Sequence, residues 1–261
     1  MILSLLVEQL PNLPARNEEW QALGIAAGNP FTTWEWASAW WREFGEERRQ
    51  LILGCRDDEG ALVGVLPLYL ASRHPRTLRI VGNGAADQLG PVCRPEHREA
   101  VAAALRGALA ERPGWTVCAT ERLAVGDGWP QLLGGHRTRR ERSLTIRPRT
   151  ADWDEFLSGY SANFRGQVRK FERRLERDHD LRYRIADDPE RVDADIALFL
   201  DLHAARWGDR SQVYAGGLEE FHRELARLAL AEGFLRLSFL ELDGEPCAGI
   251  HAFRLGGVDW I

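Results

Sequence analysis

The residues of this chain best suited to chemistry are His251, Glu241, His203, Arg206, Trp207, Arg165 and Arg169. An imidazole titrates near neutral pH, so His251, in an apolar strand-like run, is fit to shuttle a proton; an ordinary cross-strand contact is the other reading. His203 falls on the stripe Val192, Ile196, Phe199, Leu200 and Trp207. That stripe reads either as a helix interface or, with Arg206 and Trp207, as the edge of an acceptor pocket. Arg165 and Arg169 sit in a helical run with Lys170, Arg173, Arg174 and Arg177, against Glu172, Glu176 and Asp178, a local net charge of +3. Such a face is either solvated and laced with i to i+3 pairs, or it binds an anionic substrate such as a lipid-linked sugar, a nucleotide or a phosphorylated carrier. RNA is the weaker reading, because no stacking aromatics alternate with these cations. Glu241 is a strand-end carboxylate beside a turn.

The elements that position these residues are read from turns and periodicity. Asp243-Gly244 and Gly256-Gly257, each between alternating apolar residues, predict two tight antiparallel hairpins in succession. With Leu242 opposite Glu245, counting places Phe239 opposite Ala248, Leu237 opposite Ile250 and Leu235 opposite Ala252, and it sets His251 beside Arg236 on the other face. The second turn places Phe253 opposite Trp260 and Arg254 opposite Asp259, pairings that stabilise adjacent strands. The last strand, Val258 to Ile261, leaves much of its neighbour unpaired, an arrangement a finished sheet avoids. The expectation is therefore a chain cut within a longer protein. The apolar stripe Phe164, Val168, Phe171 and Leu175 predicts a helix burying that side.

Upstream, Met1 to Val7 reads as a first strand. Thr32-Thr33-Trp34-Glu35 reads as a capping box opening a helix that ends near Gly45, with Trp34, Ala37, Trp41 and Phe44 inward. Strands follow at Leu51 to Arg56, Leu62 to Leu70, Thr77 to Val81 and Trp115 to Thr120, with a helix from Pro95 to Glu111. The second half predicts helices at Asp152 to Ser158, Asn163 to Asp178, Pro189 to Trp207 (capped by Asp188) and Leu218 to Glu232, and a strand at Leu181 to Ile185. Gly60 to Tyr69 superposes on Gly244 to Phe253 at an offset of 184 residues, with turn glycine and aliphatic positions matching. The fold class is α/β with mixed sheets. Two tandem units are expected, at 1–145 and 150–261, joined by the arginine-rich linker Arg137 to Arg149.

With 261 residues, 44% of them hydrophobic, the chain can bury a large core. Its net charge of −5 and isoelectric point near 5.9 make no global case for DNA, other nucleic acid or an anionic membrane. Cys55, Cys93, Cys118 and Cys247 are isolated and show no metal spacing, which fits a reducing cytoplasm. No run reaches the roughly 18 apolar residues of a membrane span.

Asn29 to Trp36 with Trp40-Trp41, Leu66-Pro67-Leu68-Tyr69, the run Phe164 to Leu175, and Leu202 to Trp207 resemble, in order along the chain, the CelD/BcsL-type acetyltransferases of the GNAT superfamily. These are similar in turn to the tandem-GNAT Fem-type aminoacyltransferases. The resemblance implies transfer of an acyl group from acetyl-CoA or another acyl-CoA to an amine or hydroxyl acceptor; no metal is expected, the acceptor is small or carrier-linked, and the basic helix leaves an anionic one open. It points to exopolysaccharide or cell-envelope modification. It also implies a strand carboxylate as base, a role that falls on Glu241 alongside His251. Backbone N–H groups after the fourth strand would hold the pyrophosphate, and here those elements lie beyond Ile261; Gly82-Asn83-Gly84 in the first half is only a weak substitute. Two other readings stay open: a non-catalytic GNAT-scaffold module that pairs with a partner strand, and a Fem-type transferase that uses aminoacyl-tRNA.

Overall fold

The computed structural model describes residues 5–261, so Met1 to Ser4 of the expected first strand lie outside the described residues. The first half runs β1 (Leu6–Gln9), α1 (Glu18–Ala27), α2 (Trp34–Phe44), β2 (Arg49–Arg56), β3 (Leu62–Arg73), β4 (Arg76–Ile80), β5 (Val92–Cys93), α3 (Arg98–Glu111), β6 (Val117–Cys118) and α4 (Trp129–Leu132). The second half runs α5 (Trp153–Ser158), α6 (Ala162–Asp178), β7 (Leu181–Ile185), α7 (Val192–Trp207), α8 (Leu218–Ala231), β8 (Leu235–Leu242), β9 (Glu245–Leu255) and β10 (Val258–Trp260). It is an α/β fold with two sheets, ordered β1-β2-β3-β4-β6, with β5 also on β3, and β10-β9-β8-β7. The sequence strand, two helices, three antiparallel strands thus occurs twice, as β1 to β4 and as β7 to β10.

Both turns of the terminal meander have two successive left-handed residues, Asp243-Gly244 and Gly256-Gly257, as tight hairpins require. Phe253 opposes Trp260 as counted, and Arg254 grips Asp259 through two bonds of 2.6 Å. The counted register of β8 on β9 fails one step beyond Glu241. Glu241 opposes Pro246, but Leu240 opposes Ala248, so Cys247 is an extra residue and every later pair slips by one. Leu237 therefore faces His251 rather than Ile250, and Arg236 faces Ala252. Because side chains alternate across a strand, this slip turns His251 from the outer face to the buried one. The first half repeats the irregularity: Arg56 opposes Leu62 while Cys55 opposes Gly64, which leaves Val63 extra, 184 residues before Cys247.

Several expected boundaries move. Thr33, not Thr32, caps α2, accepting from the Trp36 N–H at 3.3 Å, and Glu35 turns away from the cap to accept from Gln21 at 2.7 Å. α1 was not anticipated, although Asn17 caps it and a left-handed Gly28 ends it. α7 starts at Val192; Asp188 instead closes a local turn onto the Glu190 N–H. The strand at Trp115 shrinks to β6, two residues parallel to β4.

One apolar core runs through both halves. α2 is buried along nearly all of its circumference, because Trp40 and Trp41 pack on Tyr69 of β3 on one side and α8 lies on the other. Trp36, 1% exposed, is the joint: its ring meets Phe31 at 4.7 Å, Phe221 at 5.0 Å and Phe253 at 6.0 Å. α6 is the exception to this packing. None of its residues is buried, so the expectation that Phe164, Val168, Phe171 and Leu175 pack inward is wrong.

Candidate functional site

The inward turn of His251 builds a site that the sequence alone does not reveal. Four ionisable rings line up where α7, the loop after it, α8 and β9 meet. His203 of α7 stands 4.7 Å from Tyr214 of the loop, Tyr214 stands 4.9 Å from His222 of α8, and His222 stands 5.2 Å from His251 of β9. Phe199 and Phe253 close on His251 at 5.5 and 5.0 Å. Gly249, one pair along β9, makes room for Phe199, since a Cβ there would lie 3.0 Å from that ring.

All four ring residues keep some exposed surface, yet His222 Nδ1 and His251 Nε2 are themselves sealed from water and have no hydrogen-bond partner. The same holds for Nε1 of Trp36 and of Trp260 on the neighbouring aromatic wall. Buried polar atoms of this kind ordinarily find a partner, and four of them around one cluster mark a place for a polar group. Burial sets the charge states. It lowers the His251 pKa to about 4, and it holds His222 well below the ordinary imidazole range, with repulsion from His251 adding to the effect. Burial also pushes the Tyr214 hydroxyl up to about 12. At neutral pH the site therefore presents two uncharged imidazoles able to accept a proton and a phenol able to donate a hydrogen bond.

The other expected residues fall in three places. His203 joins the cluster, with Nε2 3.4 Å from Ser211 Oγ. Arg206 and Trp207 lie on the last turn of the same helix, where the guanidinium sits 5.2 Å over the indole, and both side chains are exposed rather than on the buried stripe. Glu241 accepts from Arg184 Nε at 2.9 Å, and Arg184 clamps buried Asp195 through two further bonds of 2.9 Å. Glu241 lies four positions along β8 from Leu237, the partner of His251, a distance of about 13 Å. The structure does not bring the two together. Arg165 donates to the carbonyls of Ser158 and Tyr160, and Arg169 pairs with Asp154 at 2.8 Å, so both are engaged with α5 and its turn rather than with the cluster.

Sequence reasoning missed His222 and Tyr214. His222 sits beside Phe221 on the amphipathic face of α8, a signal that only the packing of α8 on β9 makes meaningful. Glu35 was read as a cap but is a buried carboxyl, its pKa raised chiefly by desolvation. Among the described residues no group of three or more His, Cys, Asp or Glu side chains is arranged to hold a metal ion. No described helix is long and apolar enough to cross a membrane.

Residues 162–258 match the model of the acetyltransferase (GNAT) domain family. The matched segment begins with α6, ends at the first residue of β10, and contains the whole imidazole cluster. GNAT domains generally use an acyl-CoA as co-substrate, so the match points to acyl transfer in general. No curated protein matches the chain.

Proposed function

We propose that the second half transfers an acyl group, acetyl in the first instance, from acyl-CoA to an amine or hydroxyl acceptor seated at the imidazole cluster. The observation that carries this reading is the file His203, Tyr214, His222 and His251, with two sealed imidazole nitrogens, inside the segment that matches the GNAT domain. The acceptor nitrogen or oxygen bonds to the thioester carbonyl carbon, the carbon–sulfur bond breaks, and the sulfur leaves as coenzyme A thiolate. The acceptor's proton passes through an imidazole, which is uncharged at neutral pH and too weak a base there to keep it, to the departing thiolate. In this reading His251 is the proton acceptor and Tyr214 a fixed donor. His203, Arg206 and Trp207 line the acceptor's entry, and Arg165 and Arg169 give it an electropositive approach. Glu241 of β8 holds Arg184 of β7, which in turn grips Asp195 of α7.

We further propose that β1 to β4 and β7 to β10 are two copies of one GNAT-like unit, of the CelD/BcsL type, spanning 1–145 and 150–261. The shared element order and the extra residues Val63 and Cys247 at one offset support it. In the first copy Pro67 stands at the position of His251, which supports confining the chemistry to the second. Four free cysteines fit a cytoplasmic setting, and an acceptor from exopolysaccharide or cell-envelope synthesis fits the basic approach.

The test is thiol release from acetyl-CoA in the presence of a panel of primary amines and sugar hydroxyls. Acceptor-dependent release that drops about a hundredfold or more in His251→Gln supports the reading. Absence of acetyl-CoA binding would favour the non-catalytic module.

A further inference from the structure

α6 presents an apolar side to water. Phe164, Val168, Phe171 and Leu175 recur on one face at helical spacing, yet no residue of the helix is buried, and Phe164 and Phe171 are 45% and 58% exposed. α5 extends this surface. Trp153, Phe156 and Tyr160 form a file ending on Phe164, with successive ring centroids 5.7, 5.3 and 5.1 Å apart, and Trp153 is 53% exposed. Just upstream, Leu144 is 93% exposed.

The charge of the same segment is opposite to that of the molecule. Residues 137–178 carry twelve arginines and lysines against seven acids, a net +5 within a chain of net −5, so the remainder carries −10. At 100° per residue, Arg165 and Arg174 lie about a quarter turn to either side of the apolar stripe. Long basic side chains in that position lay their stems on apolar matter and carry their charge outward to an anionic plane.

We infer that α5, α6 and the arginine-rich segment before them form a docking surface for the anionic face of a lipid bilayer, with Trp153, Phe164 and Phe171 entering the headgroup layer. A helix of low overall hydrophobicity, with an aromatic and aliphatic side opposite a cationic one, is built to lie in the interface plane. A nucleic acid would engage the cations and the aromatic file, but it gives no role to Val168 and Leu175, which continue the stripe between and beyond the phenylalanines. The inference stands on the exposure, spacing and charge of this segment and does not depend on acyl transfer.

Cosedimentation of the full chain with vesicles of phosphatidylcholine alone, and of phosphatidylcholine mixed with phosphatidylglycerol, tests it, with single-stranded RNA assayed in parallel. Binding to the anionic vesicles alone, weakened by salt, is expected. Phe164→Asp with Phe171→Asp should abolish it, and Lys170→Glu with Arg174→Glu should weaken it at least about tenfold. Thermal midpoints should hold in both double variants, because all four side chains are exposed. Failure to bind anionic vesicles, equal binding to neutral ones, or full retention by either folded double variant overturns the inference. RNA binding without vesicle binding overturns it in favour of a nucleic acid.

Discussion

His251 carries a pH signature that a surface histidine lacks. Its folded-state pKa of about 4 lies below the unfolded value near 6.5, so the unfolded chain binds the proton first as the solution is acidified. The stability at stake is fully present above about pH 6.5 and drains away as pH falls toward 4, to a total of about 3 kcal/mol. Urea unfolding at pH 7 and pH 5 should show about 2 kcal/mol of it in the native chain beyond what His251→Phe, which keeps His222, still loses. Arg184 gives a second test of a single side chain. Arg184→Met would leave Asp195, 2% exposed, with only the Arg191 guanidinium at 4.0 Å, and should cost up to about 3 kcal/mol. Identity was legible at this scale and placement was not. His251 and His203 stood out as imidazoles in apolar runs, but their meeting with Tyr214 and His222 depends on a loop and a helix far apart in the chain.

At the scale of elements, a single extra residue decided whether the site could be foreseen. Turn chemistry fixed both hairpins and the pairs nearest each turn, because Asp243-Gly244 and Gly256-Gly257 dictate where two strands reverse. Cys247 then shifts the ladder by one, a change that leaves no mark on alternation in a strand as apolar on both faces as β9. α6 failed for a related reason: a helical stripe reports that one side is apolar, not that anything covers it. Gly256 gives this level its prediction. It has a φ of +62°, and a Cβ there would stand 2.9 Å from the Cα of Gly28, which caps α1 with a φ of +74°. Gly256→Ala should therefore lower stability by more than about 1 kcal/mol, read as a shift in denaturation midpoint at unchanged slope. Gly257→Ala, which meets nothing nearby, carries only the cost of its left-handed conformation and should be milder.

For the whole molecule, the two sheets are joined by aromatic packing rather than by a linker alone. α2 and α8 lie against each other with Arg42 and Glu224 paired at 2.7 Å, and Trp36 touches rings from both halves. The halves should unfold in one transition by fluorescence and circular dichroism. Trp36→Ala should cost about 3 to 5 kcal/mol and pull the two signals apart. The likeness of Gly60–Tyr69 to Gly244–Phe253 is visible in the sequence, whereas the packing of the first half on the second had no sequence signal beyond the density of tryptophans in α2. Acyl transfer at the imidazole cluster is tested most directly by kcat/KM for the best acceptor in His251→Gln and Glu241→Gln, compared with the native chain. A fall of about a hundredfold or more in His251→Gln, with Glu241→Gln close to native, is the predicted result; the reverse order would contradict it.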